Sequence, residues 1–208
     1  SVTENLLQKC RRYTFTDRFV ETGCYPYFHP ISSATDGEVI IRGHKLLMMG
    51  SNSYLGLHHD PRIKEAAVAA LHKYGTTCGG SRFLNGSLDL HERLEQAVAE
   101  LVGKEACLVF STGYQANVGV ISALVGRHEY VVADKLDHAS ILDGCRLCQG
   151  TMVRYRHNDV AHLSKVLDRI APANSLVVAD GIFSMEGDIA DLPGVVEVAE
   201  RYGAVVMV

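Results

Sequence analysis

Apolar residues recur at two different spacings along this chain, and the change of spacing divides it. Residues 1–24 are polar, without a strong period, and predict a partly helical arm. Tyr25-Pro26-Tyr27-Phe28-His29-Pro30 is punctuated by prolines and predicts an extended aromatic segment. Residues 38–42 and 45–49 flank Gly43-His44 and predict a small hairpin. From about residue 59 helices and strands alternate. Asp60 is a plausible N-cap with Pro61 at the first helical position, and Ile63, Ala66, Ala67, Ala70 and Leu71 follow at helical spacing up to Gly75. Ser87 is placed to cap a second helix, whose apolar face would be Leu90, Leu94, Ala97, Val98 and Leu101. Strands are then expected at 106–110, 129–134, 151–155, 175–179 and 204–208. Helices are expected between them near 115–125, 138–149, from Asn158 or Asp159 through Ile170, and 192–202.

Strands that alternate with helices imply an α/β fold, with a mostly parallel sheet covered on both faces. Residues 1–58 read as an N-terminal arm and small hairpin, and 59–208 as the main domain. Ligands of such sheets sit in the loops beyond the carboxyl ends of the strands. The last strand is apolar throughout and the given sequence stops on it, so the chain reads as the N-terminal part of a longer one.

Composition narrows the function classes. The 208 residues allow one sizeable core, and 47% hydrophobic with 21% charged residues is ordinary for a soluble globular protein. A net charge of −4 offers no basic surface of the kind nucleic acid requires. No apolar run reaches the length of a membrane span, and Ser1-Val2-Thr3-Glu4-Asn5 lacks the features of a signal peptide, so the cytoplasm is expected. The six cysteines then read as free thiols. Cys145-Arg146-Leu147-Cys148 is an isolated C-x-x-C in a helical segment, half of what a structural zinc site needs, and no metal is expected.

Five loops carry candidate chemistry. After the strand at 106–110, Ser111-Thr112-Gly113-Tyr114 opens a helix and would offer backbone N–H groups and the helix dipole to an anion. Read from its residues alone, this loop is equally a phosphate cradle or an ordinary turn served by Gly113. It matches neither the Walker pattern nor G-x-G-x-x-G. His138 follows the next strand, with Asp137 before it and Ala139-Ser140 leaving room. A third loop, 180–188, places Ser184 after an apolar strand, and its acids are candidates for solvated or capping roles. Asn52 lies in the turn-prone run 51–57, and Arg82 in the loop 79–86 is a candidate for gripping a carboxylate or phosphate.

In their order and spacing these segments, SNSYLGL, GTTCGGSRFLNGSLDLHERLE, FSTGYQAN, DHASILDG and DGIFSMEGD, resemble the α-oxoamine synthases among the fold-type I pyridoxal-phosphate enzymes. The resemblance covers nearly the whole chain. It implies a truncated, three-layer, aspartate aminotransferase-like α/β fold with pyridoxal 5′-phosphate as cofactor. The implied activity is decarboxylative condensation of an amino acid with an acyl-CoA by a homodimer. SRFLNG and the upstream YPYF look most like the bacterial serine palmitoyltransferase subfamily, which implies L-serine, a 3-keto amino alcohol and sphingolipid biosynthesis. Another member, such as an 8-amino-7-oxononanoate synthase or a glycine C-acetyltransferase, is the alternative.

The resemblance also implies roles. His138 matches the histidine stacked on the pyridine ring that helps orient the substrate carboxylate. Gly113 and Tyr114 match the turn at the cofactor, and Ser184 matches a serine bonding its phenolic side. Asn52 matches a residue near the acyl-thioester or across the dimer interface, and Arg82 stays a candidate substrate-binding group. The family's pyridinium-binding Asp and Schiff-base Lys belong to motifs expected after the strand at 204–208. Asp180, Lys135 and Lys165 match other positions. A non-catalytic subunit or fragment, and a general phosphate-binding α/β domain, are the readings of other classes.

Overall fold

In the computed structural model, residues 6–35 and 37–208 are described; the opening residues 1–5, read above for a leader, lie outside them, as does Asp36. Two compact units divide the chain between Gly86 and Ser87.

The first unit carries helices α1 (Leu6–Arg11) and α2 (Asp17–Glu21), strands β1 (Glu38–Ile41) and β2 (His44–Leu47), and helix α3 (Pro61–Tyr74). β1 and β2 form the expected antiparallel hairpin, with Glu38 opposite Leu47 and Ile41 opposite His44. Asp60 caps α3 as expected: its Oδ1 accepts the Arg62 N–H at 2.9 Å, and Pro61 gives up no needed donor at the first position. The periodic face of α3 is not buried within this unit, and Ile63 and Leu71 are about half exposed.

The second unit contains α4 (Asp89–Val102), α5 (Gly113–Leu124), β3 (Tyr130–Asp134), α6 (Ala139–Leu147), β4 (Thr151–Tyr155), α7 (Val160–Ile170), β5 (Ser175–Val178), α8 (Leu192–Arg201) and β6 (Val205–Met207). The four strands form one parallel sheet in the order β4-β3-β5-β6. Side chains alternate across a strand, and the sheet's two cores follow that period. Val131 and Ala133 of β3, with Leu176 and Val178 of β5, pack against Ile121 and Val125 of the α5 segment and Ile141 and Cys145 of α6. Val132 and Val177 point the other way, to Leu163, Val166 and Leu167 of α7 and Val195, Val198 and Ala199 of α8. Val131, Val132 and Val177 are fully enclosed, each a burial of about 1.5–3 kcal/mol.

Two expectations are corrected, and the free thiols are as expected. Residues 106–110 form no strand among the described residues; their run is extended, and the Val109 N–H goes to Glu95 Oε1 at 2.9 Å. Strand composition needs a neighbouring strand to become a ladder, and this segment has none here. Ser87 does not cap α4, which starts at Asp89; His91 Nδ1 instead accepts the Leu88 N–H at 2.9 Å. Cys145 and Cys148 are both free and buried, Cys145 in the core beneath β3, and burial pushes the Cys145 thiol up to about 12. Packing accounts for the pair. No helix among the described residues is long and apolar enough to cross a membrane.

Candidate active site

The chemistry gathers where the strands of the second unit end. β3 closes on Asp134, fully buried, and the chain then turns through Lys135 and Leu136 to Asp137 and His138. Asp137 is the hinge of this turn. One of its oxygens accepts the Asp134 N–H at 2.8 Å and the other accepts the Asp180 N–H at 3.0 Å, so a single carboxylate joins the ends of β3 and β5. Its burial pushes it up to about 7, with the charges of Asp134 and Asp180 adding to the rise and the two N–H donors opposing it. Asp180 completes the tie, its Oδ2 accepting the His138 N–H at 2.8 Å. Asp180 therefore supports His138 through the backbone.

His138 is the N-cap of α6. Its Nδ1 accepts the Ser140 N–H at 3.1 Å and lies 2.7 Å from Ser140 Oγ. That Oγ in turn accepts from Asn117 Nδ2 at 2.9 Å. A nitrogen that accepts a backbone N–H carries no proton of its own, so the neutral ring of His138 holds its proton on Nε2. The ring is exposed. Backbone, hydroxyl and amide thus fix both its tautomer and its orientation, and Asn117 ties it to α5.

α5 supplies the anion end. Thr112 is its N-cap and accepts the Gln115 N–H at 3.1 Å. The N–H groups of Gly113 and Tyr114 have no acceptor among the described residues, and the helix dipole adds to their pull. A Cβ built on Gly113 would meet nothing within 4 Å, and its φ is an ordinary one. Packing does not require glycine there; the bare Cα leaves open space over the N–H groups. The Tyr114 hydroxyl donates to Asp143 Oδ2 at 2.9 Å, and Arg146 grips the other oxygen of Asp143 at 2.7 Å. The hydrogen bond to Asp143 holds the Tyr114 phenol above its usual value, while Asp143 is held low by Tyr114 first and Arg146 second. The hydroxyl is thus committed to Asp143, and the ring is braced beside the helix end.

Ser184 is exposed on the loop that begins at Asp180. Phe183 anchors that loop from beneath, fully buried, and Ile182 bridges to Ile189 across it. The structure bonds Tyr114 and Asn117 of α5 to Asp143 and Ser140 of α6 beside His138, and ties the root of the Ser184 loop to His138 through Asp180, while Gly113 stands at the start of α5 with no bond of its own to them.

Asn52 and Arg82 belong to the first unit. Asn52 is exposed in a turn where its carbonyl accepts the Tyr54 N–H at 3.0 Å. Arg82 is half-buried in a loop whose Leu84, Asn85 and Gly86 N–H groups all converge on Ser81 O. Gly86 is demanded there, since an added Cβ would fall 1.9 Å from the Gly80 carbonyl oxygen.

Sequence reasoning missed Asn117, Ser140, Asp143 and Asp134 as supports. Only Ser140 carried a local signal, standing two residues past His138 as an Ser at a helix start; the others act across 20 residues or more.

The family model for aminotransferase class I and II matches residues 44–208. A serine palmitoyltransferase of Sphingobacterium spiritivorum is 52% identical over 204 residues, covering 98% of this chain and 51% of the relative. An 8-amino-7-oxononanoate synthase of Geobacter sulfurreducens is 44% identical over 189 residues, covering 90% of this chain and 48% of the relative. A solved variant of serine palmitoyltransferase from S. paucimobilis with a bound PLP–myriocin aldimine superposes with a TM-score of 0.94 at 39% identity, covering 98% of this chain and 52% of that one. The chain spans about half the length of the curated relatives it matches.

Proposed function

The chain belongs to the aminotransferase class I and II family, and on that premise we propose that it is part of a pyridoxal-phosphate enzyme that condenses L-serine with an acyl-CoA. Carbon dioxide and free coenzyme A are released and a 3-keto amino alcohol is formed, a product that enters sphingolipid biosynthesis. Residues outside these 208 complete the site. The working enzyme is a cytoplasmic homodimer.

One observation carries the reading: the helix that opens at Gly113 is tied one turn further on, through Asn117, to the Ser140 hydroxyl that holds the ring of His138. A planar phosphorylated ligand needs both, an anion cradle and a flat ring at a fixed distance from it. The donors present suit pyridoxal phosphate. The N–H groups of Gly113 and Tyr114 with the α5 dipole hold its phosphate. His138 would hold one face of its ring, with Nε2–H free to donate to the carboxylate of the amino acid. Ser184 donates its hydroxyl to the phenolic oxygen. Bound pyridoxal phosphate supplies an electron sink for charge developing at the Cα of the amino acid. Asn52 serves near the acyl-thioester or across the dimer interface, and Arg82 is a candidate for gripping a carboxylate or phosphate of the substrates.

The serine reading is supported over its nearest alternative by the order of identities. Relatives named serine palmitoyltransferase stand at 52%, 48% and 47%, and the 8-amino-7-oxononanoate synthases at 44% and 43%. The test is turnover of the holoenzyme with palmitoyl-CoA and L-serine, glycine or L-alanine, following carbon dioxide and product mass. Serine is expected to dominate. Equal rates with alanine, or no carbon dioxide, would overturn the proposal.

A further inference from the structure

His157 follows β4 and stands between two carboxylates, Asp134 at the end of β3 and Asp188 in the loop after β5. Its Nδ1 lies 2.9 Å from Oδ1 of Asp134, and its Nε2 lies 2.9 Å from Oδ2 of Asp188. Its ring meets Phe183 edge-on, with centroids 4.4 Å apart and an interplanar angle of 89°. Asp134 is bound on its other sides too, accepting the Leu136 N–H on Oδ1 and the Asn158 N–H on Oδ2, both at 2.8 Å. Ionised carboxylates only accept, so a ring that serves both must donate from both nitrogens. The bond to Asp134 accordingly holds His157 above the ordinary histidine range, against the opposing effect of burial.

Asp188 is where the far limb of the Ser184 loop is fastened. The Phe183 N–H donates to the Asp188 carbonyl at 2.9 Å, the Gly187 N–H to the Phe183 carbonyl at 2.7 Å and the Ala190 N–H to the Gly181 carbonyl at 3.0 Å. These bonds shape the loop internally. Among the described residues two side chains tie its far limb to the end of β4: His157 through Asp188, and Asn158, whose amide donates to the Ile189 carbonyl at 3.0 Å and whose Oδ1 accepts the Asp191 N–H at 2.9 Å. Of the two, only His157 continues through its side chain to the buried end of β3, where His138 is set.

We propose that His157 is a positioning residue that, donating to Asp134 and Asp188 together, holds the loop carrying Ser184 in register with the strand end carrying His138. The proposal rests on the reading that Ser184 meets the phenolic oxygen of pyridoxal phosphate. It adds a requirement of its own: the contact at Ser184 depends on a histidine that touches neither cofactor nor substrate.

Three variants of the holoenzyme test it. His157→Phe keeps the flat ring against Phe183 and loses both donors. Asp188→Asn weakens only the outer anchor, at a partly exposed position that does not endanger folding. Ser184→Ala removes the donor at the cofactor. Hydrogen–deuterium exchange over residues 181–190 reads the loop, and the absorption spectrum of bound pyridoxal phosphate reads the Ser184 contact. Loop exchange is expected to accelerate about tenfold in His157→Phe, as losing a hydrogen bond to a charged group implies, and about threefold in Asp188→Asn, whose amide oxygen still accepts from Nε2 but without the charge. Both variants are also expected to reproduce the spectral change of Ser184→Ala.

Unaltered loop exchange in both variants overturns the positioning role and leaves the cofactor reading standing. Faster exchange with a wild-type spectrum, while Ser184→Ala shifts it, likewise overturns it, since the loop's freedom would not reach Ser184. A Ser184→Ala spectrum identical to the wild type overturns the Ser184 reading instead. Should His157→Phe not fold, Asp188→Asn decides the matter alone.

Discussion

The backbone N–H of His138 donates to the side chain of Asp180, 42 residues away in sequence, at 2.8 Å. The loop after β3 thereby takes its position from the loop after β5. The proposed ring-facing histidine is held at three points: by this bond at its backbone, and by the Ser140 N–H and hydroxyl at its Nδ1. Removing the anchor with Asp180→Ala should raise the KM for the amino acid about tenfold, the effect of losing roughly 1.4 kcal/mol. Steady-state kinetics at saturating acyl-CoA check this, and an unchanged KM would detach Asp180 from the site.

Ser140→Ala leaves the Ser140 N–H on the ring and removes the hydroxyl link to Asn117. A fall in kcat/KM of about three- to tenfold is expected, in line with about 1 kcal/mol for one neutral hydrogen bond. Ser140→Thr, which keeps the hydroxyl, should recover most of it. Equal losses in both variants would point to packing in place of the bond.

Gly113→Ala separates stability from binding. Its Cβ has open space and its φ suits any residue, so the melting temperature should be maintained. The methyl would stand over the proposed phosphate cradle. The apparent Kd for pyridoxal phosphate, from fluorescence or absorbance titration of the apoprotein, should rise about tenfold or more. Unchanged affinity would return this loop to an ordinary turn.

Asp137 sets a pH dependence of stability. Its folded-state value is raised to about 7, against about 4 in an unfolded chain. The unfolded state therefore binds fewer protons between these values, and the stability contributed by Asp137 is fully present below about pH 4 and lost as the pH rises through about 7. The wild type should lose urea resistance between about pH 5 and pH 8 that Asp137→Asn does not lose. Parallel curves for the two would contradict the raised value.

Cys145 and Cys148 should resist alkylation in the native protein, since both are buried and burial raises the Cys145 thiol. Mass spectrometry after iodoacetamide treatment checks this; ready modification of either would revive a redox role for the C-x-x-C.

Much of the second unit was legible because its signals are local. The continuous apolar runs at β3 and β5 marked buried strands, and the helical spacing of Val160, Leu163, Val166, Leu167 and Ile170 marked the buried face of α7. Asp60 was readable as a cap because capping acts within three residues, and the choice between Asn158 and Asp159 falls to Asp159, which accepts the His162 N–H. Residues 106–110 misled for the opposite reason: strand composition does not supply a strand partner. The site shows the same division. Gly113 and His138 stand out by their place after an apolar run, whereas Asp134, His157 and Asp188 acquire meaning only once β3, β4 and β5 lie side by side. Paired contacts across 20 to 40 residues leave no spacing to read.

The central claim, that His138 presents Nε2–H to the amino acid from one face of the cofactor ring, is tested most directly by titrating His138→Ala holoenzyme with L-serine and following the absorption of bound pyridoxal phosphate. The variant should retain the cofactor spectrum while its Kd for serine rises about tenfold or more. A serine Kd equal to that of the wild type would remove His138 from the site.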